Sequence, residues 1–321
     1  MNLRIGSRGS QLALWQANHI AALLRGQGNS VEIEIIKTTG DRLQQVTFAQ
    51  VGSKGMFTKE IEEALVDGRV DLAVHSLKDL PTELPAPFTL AATPPRVDPR
   101  DVFVSVLHGN LVSLPHGARV GTSSQRRRAQ LKALRPDIEA VEFRGNVDTR
   151  LRKLAEGQVD AILLAAAGLD RLQKTDWLRE RLDPKDFCPA AGQGALGIET
   201  RFGDTAVLDA VAFLDDAETR FAVTVERAAL AALGGGCQVP IGIHCRPSTH
   251  RSNFSQSSDL KDDDLDIYAV VANPVTGLAA RVFHTAPRAI STSLDLGRLI
   301  AKLLIEAGAS SILKASAESA L

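Results

Sequence analysis

The stretch "RIGSRGSQ", residues 4 to 11, returns as "RVGTSSQ", residues 119 to 125. Each copy runs from a short apolar strand, through glycine and small hydroxyl residues, into a helix start. A second pair follows in the same order: "EALVDGRVDLAVHS" at 63 to 76 and "RKLAEGQVDAILLA" at 152 to 165. Two echoes in one order indicate two α/β halves of similar design. Between the first elements, "SQLALWQANHIAALLRGQG" carries Leu12, Trp15, His19 and Leu23 at helical steps, with Ser10 as N-cap and Gly26 or Gly28 as stop. "VEIEIIKT" alternates as a strand, "TKEIEEALVDG" reads as a helix and "RVDLAVHS" as a more buried strand. Such alternation indicates a parallel or mixed sheet covered on both faces. The proline-rich "TPPRVDPRD", residues 93 to 101, marks the join between the halves.

A third region begins near residue 216. "ETRFAVTVERAALAALGGG" steps through Phe221, Val225, Ala228 and Ala232 as a helix that Gly234 to Gly236 end. "IGIHC", "LDIYAVVANP" and "LAARVFHTA" read as strands and "DLGRLIAKLLIEAG" as a closing helix. The polar run within residues 248 to 264 reads as a flexible loop without chemistry.

Composition limits the function classes. The chain has 321 residues, 44% of them hydrophobic and 23% charged, with a formal net charge of -1. That length exceeds one comfortable core and the composition is that of an ordinary globular protein. The near-zero charge opposes nucleic acid or an anionic membrane as a general partner, and "QRRRAQLKALR" with a single tyrosine is a poor nucleic-acid signature. "MNLRIGSRGS" lacks an apolar signal region, so a cytoplasmic location is expected. Three cysteines at 188, 237 and 245 suit a reducing compartment, and the loose trio around "IHCRP" makes no metal site expected.

The repeated turn has chemical meaning, because a helix start presents free N–H groups and the positive end of the helix dipole to an anion. Arg8 and Ser10 stand there in the first copy. Thr122, Ser123 and Ser124 precede Arg126, Arg127 and Arg128 in the second. "EFRGNVDTRLRKL" adds Arg144 and Gly145 in a turn and Arg150 in the following helix, and "VGSKGMF" adds Lys54 in a segment expected to be mobile. Arginine pairs bidentately with carboxylates, so the expected ligand is a small polycarboxylate or phosphate held across a cleft. In "AVHSLKDLPTELP" a strand delivers Ser76, Lys78 and Asp79 to its carboxyl end, where α/β sheets keep their sites. An aspartate among arginines stays ionised and steadies a cationic intermediate; His75 is expected to be structural. Cys237, on the glycine loop "GGGCQVPIG", is expected to be an accessible thiol for covalent attachment.

"AVHSLKDLP", "VGTSSQRRRAQL", "FRGNVDTRL", "PAAGQGALGIE" and "GGGCQVPIG" together closely resemble the hydroxymethylbilane synthase (porphobilinogen deaminase) family, in order from residue 3 to about 245. The resemblance implies an α/β fold: two similar periplasmic-binding-protein-like α/β lobes around a cleft plus a smaller C-terminal α+β domain. The expected division is 1–95 with 194–213, then 97–193, then 216–321. It implies a dipyrromethane cofactor on Cys237 through a thioether, Asp79 as the catalytic aspartate, and porphobilinogen and the growing polypyrrole as ligands. Lys78, Thr122, Ser124, Arg126, Arg127, Arg144, Gly145 and Arg150 match cofactor contacts, and Arg8, Ser10, Lys54, Ser76 and Gln193 substrate contacts. A monomer that hands its product to the next enzyme is the expected assembly. Gln50 departs from a lysine common among relatives, Arg128 extends the usual arginine pair, and the run 248 to 264 is not a family feature. A solute-binding module is the chief rival, and it needs neither the glycine-loop cysteine nor a third domain.

Overall fold

The computed structural model describes residues 1–42, 58–235, 239–248, 264–288 and 292–318. In chain order the strands are β1 (Asn2–Ser7), β2 (Ser30–Ile35), β3 (Leu72–Ser76), β4 (Phe88–Ala92), β5 (Asp101–Val104), β6 (Arg119–Gly121) and β7 (Glu139–Val141). There follow β8 (Ala161–Ala165), β9 (Leu178–Arg181), β10 (Leu196–Arg201), β11 (Ile241–Pro247), β12 (Asp264–Ala272) and β13 (Ala279–Pro287). They form three sheets, ordered β2-β1-β3-β10-β4, β7-β6-β8-β5-β9 and β11-β12-β13.

The first two sheets repeat one plan. The strand of each repeated turn, β1 or β6, lies between two parallel neighbours. The fourth place is taken by an antiparallel strand, β10 in the first sheet and β5 in the second. Both of those strands are reached by chain that crosses between the sheets, residues 93–100 going out and 182–195 coming back. Two straps thus join the lobes.

The helix Gln11–Gly26 is capped by Ser10, whose Oγ accepts from Ala13 N at 3.3 Å, and Gly28 follows it at φ +80°. Its buried stripe is Ala17, Ile20, Ala21 and Leu24, not the expected Leu12, Trp15, His19 and Leu23. The sequence holds two apolar stripes, and the smaller one fits the sheet. Trp15 turns instead toward the other lobe, beneath the Arg171 guanidinium at 5.8 Å, with His19 stacked on it at 5.1 Å, while Leu23 is exposed. In the second lobe Ser124 caps Gln125–Leu134 at the equivalent place, accepting from Arg127 N at 3.4 Å. Each lobe buries an apolar core between sheet and helices, the first around Leu3, Ile5 and Leu72, the second around Phe103, Val120 and Leu163.

The C-terminal sheet packs one face against the helices Ala217–Ala232 and Ser293–Glu306. Its other face meets the second lobe through Tyr268, Val270 and Ala272 against Ala129 and Cys188. A last helix, Ala309–Glu318, was not expected: with only Ala309 and Ile312 buried, it has too short an apolar stripe to register as a period. No helix among the described residues is long and apolar enough to cross a membrane.

The straps touch at the turn Gly192–Gly194. Gly194 has φ +88°, and a Cβ there would lie 2.5 Å from the Val97 carbonyl oxygen. Gly194→Ala is therefore expected to cost about 1–3 kcal/mol, from left-handed strain plus the collision. Thermal melting checks this, and an unchanged midpoint would show that the straps part freely.

Candidate functional site

The lobes enclose a cleft of about 590 Å3. On the first wall β1 is followed by Arg8, Gly9 and Ser10, and β3 ends in Ser76 followed by a single 3-10 turn, Leu77–Asp79. Leu77 and Leu80 are buried beneath that turn, and Leu77 N donates to Ala195 O at 3.0 Å. The two positions between them, Lys78 and Asp79, are thereby presented to the cleft. Ser76 Oγ accepts from Gln16 Nε2 at 2.8 Å. His75 is buried 2.9 Å from Glu199 Oε2, a satisfied structural histidine. Lys78 is half-buried, and its Nζ donates to Gln193 Oε1 at 3.4 Å. Loss of hydration pulls its pKa down to about 8, against the opposing pull of Asp79.

The second wall is built on the turn after β7. Gly145 has φ +124°, and a Cβ there would meet Thr149 Cγ2 at 2.6 Å, so the position requires glycine. Asn146 caps the helix Val147–Ala155, accepting from Thr149 N at 2.9 Å. Arg150 Nε donates to Gly145 O at 2.8 Å, and Arg144 Nε to Glu142 Oε1 at 2.6 Å. Burial lowers the Arg150 pKa to about 10, and the neighbouring Arg127 adds to the effect. Among the described residues of the cleft, the basic side chains of Arg8, Lys37, Lys78, Arg127, Arg144, Arg150 and Arg171 outnumber the carboxylates Asp79 and Asp148.

Of the expected site residues, Arg8, Ser10, Ser76, Lys78, Asp79, Arg127, Arg144, Gly145 and Arg150 come together as cleft lining. Thr122, Ser124, Arg126 and Gln193 stand behind it. Thr122 is buried and its Oγ1 accepts from Ser124 N at 3.2 Å. Arg126 is the clearest departure from expectation. It is 5% exposed, and its guanidinium donates to Asp101 Oδ2 at 2.5 Å and to Cys188 O at 2.7 Å. A buried carboxylate has claimed the arginine that the motif offered to a ligand. Cys237, Lys54 and Gln50 lie outside the described residues, as do positions 249–263 of the polar run.

Two residues escaped the sequence. Arg171, 7% exposed, lines the cleft from the end of the short helix Ala166–Arg171 and donates to Gly194 O of the strap at 2.8 Å. Burial lowers its pKa to about 10. Asp101, which holds both Arg126 and Arg127, is the other. Neither sits in a motif with local periodicity; an aspartate opening a strand among arginines was the one signal available for Asp101.

Residues 3–209 match the family model described as "Porphobilinogen deaminase, dipyromethane cofactor binding domain", and residues 220–306 match "Porphobilinogen deaminase, C-terminal domain". The chain belongs to the porphobilinogen deaminase family. The first match spans both cleft-forming sheets and the second the whole C-terminal sheet. Among the relatives, the porphobilinogen deaminase of Nitratidesulfovibrio vulgaris (strain DSM 19637 / Miyazaki F) is 56% identical over 244 residues, 75% of this chain and 77% of its own. That of Maridesulfovibrio salexigens is 46% identical over 313 residues, 97% of both chains. Among solved structures, the methionine-binding protein MetQ overlaps 66% of this chain and 89% of its own at a TM-score of 0.43 and 12% identity, too loose an overlap to carry an argument.

Proposed function

We propose that this chain acts as its family does, as hydroxymethylbilane synthase, a transferase of tetrapyrrole and haem biosynthesis. It joins four porphobilinogens head to tail on a covalently held primer, releases ammonia at each joining, and frees the linear hydroxymethylbilane with water. The observation that carries this reading is the pairing of walls: Asp79 at the end of β3 opposite a wall of arginines. Porphobilinogen carries an acetate and a propionate, and a dipyrromethane carries two of each. The excess of basic side chains over carboxylates suits such ligands.

Arg8 and Ser10 on one wall, and Arg127, Arg144 and Arg150 on the other, take the carboxylates, while the helix starts at Ser10 and Asn146 add backbone donors. Asp79 accepts the pyrrole N–H of porphobilinogen and steadies the positive charge that builds on the ring as ammonia leaves. Lys78 pairs with the ligand carboxylates beside it. Thr122, Ser124, Arg126 and Gln193 support these groups from behind. Dipyrromethane, held by Cys237, supplies the free α-carbon to which the first substrate is joined.

The other two thiols support Cys237 as the anchor. Cys188 and Cys245 are each 1% exposed, and burial pushes both thiols far above the ordinary range, which suppresses the nucleophilic thiolate. In the same reading the chain works as a monomer in the cytoplasm and passes its product to the next enzyme of the pathway.

Intact mass of the purified protein beside Cys237→Ser tests the proposal. The expected result is an excess over the sequence mass fitting two linked pyrroles, absent from the variant. A bare mass that incubation with porphobilinogen leaves unchanged would overturn it.

A further inference from the structure

Behind the cleft a single carboxylate gathers two arginines of the second lobe and a glutamine of the returning strap. Asp101 is fully buried at the start of β5, where the outgoing strap enters the second sheet. Its Oδ2 accepts from Arg126 Nη1 at 2.5 Å. Its Oδ1 accepts from Arg127 Nη2 at 2.7 Å, Arg127 Nε at 3.0 Å, Arg126 Nη2 at 3.2 Å and Gln193 Nε2 at 3.0 Å. A carboxylate has about four lone-pair sites. Five donors already converge on this one and it is fully buried, so it is not offered to a ligand.

What Asp101 does instead is fix its donors. Arg127 reaches the cleft with Nε and Nη2 on Asp101 and Nη1 on Leu163 O at 2.9 Å, which pins the guanidinium plane. Gln193, on the returning strap, is 1% exposed; its Nε2 reaches Asp101 and Pro99 O, and its Oε1 accepts from Lys78 Nζ. The chain of contacts Lys78–Gln193–Asp101–Arg127 therefore runs from one wall to the other. Two guanidiniums sharing one carboxylate also keep a net positive charge, so the second wall stays attractive to an anion.

We propose that Asp101 is the positioning residue of the cleft: its buried carboxylate fixes Arg127 in the second wall and, through Gln193, Lys78 in the first, so that both walls are held in one register. The inference rests on the synthase reading for its substrate, but its geometry does not depend on it. Burial favours the neutral acid at this position, and Arg126 and Arg127 more than reverse that, holding the carboxyl well below the ordinary range. Asp101 is thus a fixed charge at every working pH. Lys78 faces Asp79 on its own turn and Asp101, Arg126 and Arg127 behind it; among these, the two carboxylates favour its charged form.

The test compares Asp101→Asn and Asp101→Glu with Phe103→Leu, a core change on the same strand, outside the cleft lining. Misplacing a binding group by about 1 Å costs up to about a hundredfold, and that loss in kcat/KM for porphobilinogen is expected for Asp101→Asn. Asp101→Glu keeps the charge and should recover to within about tenfold of wild type. Phe103→Leu should lower the melting temperature and leave kcat/KM unchanged. Lys78 gives an independent readout through NMR of reductively 13C-methylated protein, its signal assigned with Lys78→Arg. Its midpoint near 8 should fall in Asp101→Asn and hold in Asp101→Glu.

A folded Asp101→Asn with wild-type kcat/KM, with a loss no larger than that of Phe103→Leu, or with an unmoved Lys78 midpoint overturns the proposal. If Asp101→Asn does not fold, Asp101→Glu decides: a several-fold loss at near wild-type melting temperature supports positioning, and wild-type kinetics refute it. Wild-type protein that ignores porphobilinogen would instead sink the synthase reading, leaving the Lys78 midpoint to judge Asp101.

Discussion

Replacing Asp79 by asparagine is expected to cut turnover by about a thousandfold and leave the fold in place. The turn that carries it is anchored elsewhere, by the buried Leu77 and Leu80 and by the hydrogen bond from Leu77 N to Ala195 O. Asparagine has the same shape, and Asp79 is itself exposed, so little folding energy is at stake. What disappears is a negative charge at the point where a pyrrole becomes cationic. Removing one such electrostatic partner costs about a hundred- to a thousandfold in kcat. The upper end applies because the surrounding arginines, no longer opposed, would disfavour a developing cation. A second consequence is independent of turnover: Asp79 helps keep Lys78 charged, so the Lys78 midpoint should drop below its wild-type value of about 8. Steady-state assay, circular dichroism and melting check the pair of claims. A folded variant with the wild-type rate would end the role assigned to Asp79.

The reach of the sequence follows from the distance over which each feature is encoded. The repeat "RIGSRGSQ"/"RVGTSSQ" is local, and both copies occupy the same place, the second position of a five-stranded sheet, with Ser10 and Ser124 capping the helix that follows. Gly145 was legible for the same reason, because the turn and the residue that demands it are four residues apart. Arg126 was legible as part of a motif but its partner was not, because Asp101 lies 25 residues earlier in the chain. The choice between two apolar stripes on Gln11–Gly26 likewise depended on the opposite lobe, since Trp15 meets Arg171 there. Residues that join lobes carry no periodic signature, and it is these that hold the cleft together.

Glu226 gives the strongest case of such a residue, and Glu226→Gln is expected to destabilise the protein by about 3–5 kcal/mol, the range for breaking a buried ion pair from one side. Glu226 is fully buried in the helix Ala217–Ala232, the one that leads toward Cys237. Its Oε1 accepts from Arg96 Nη1 at 2.6 Å and Cys245 N at 2.8 Å; its Oε2 accepts from Gly192 N at 2.7 Å and Arg96 Nη2 at 3.1 Å. His244 Nδ1 stands at 3.3 Å. One side chain thus clamps the C-terminal unit onto both straps at once. Burial alone would raise its pKa, but Arg96 and His244 hold it at about 2, below the ordinary 4.5. A depressed acid stabilises the fold above its unfolded pKa. That contribution, about 3 kcal/mol from 1.36 kcal/mol per unit, is lost as pH falls from 4.5 toward 2. Glutamine should remove this acid dependence and lower the melting temperature at neutral pH by about 10 °C. The cause separates from simple cavity formation in a cycle with Arg96→Met and Glu226→Leu. The single changes each strand a buried charge, because the Arg96 side chain is only 10% exposed. The double change strands neither, so it should cost less than the sum of the two. Strict additivity in that cycle would mean that the ion pair is not what fastens the C-terminal unit to the straps.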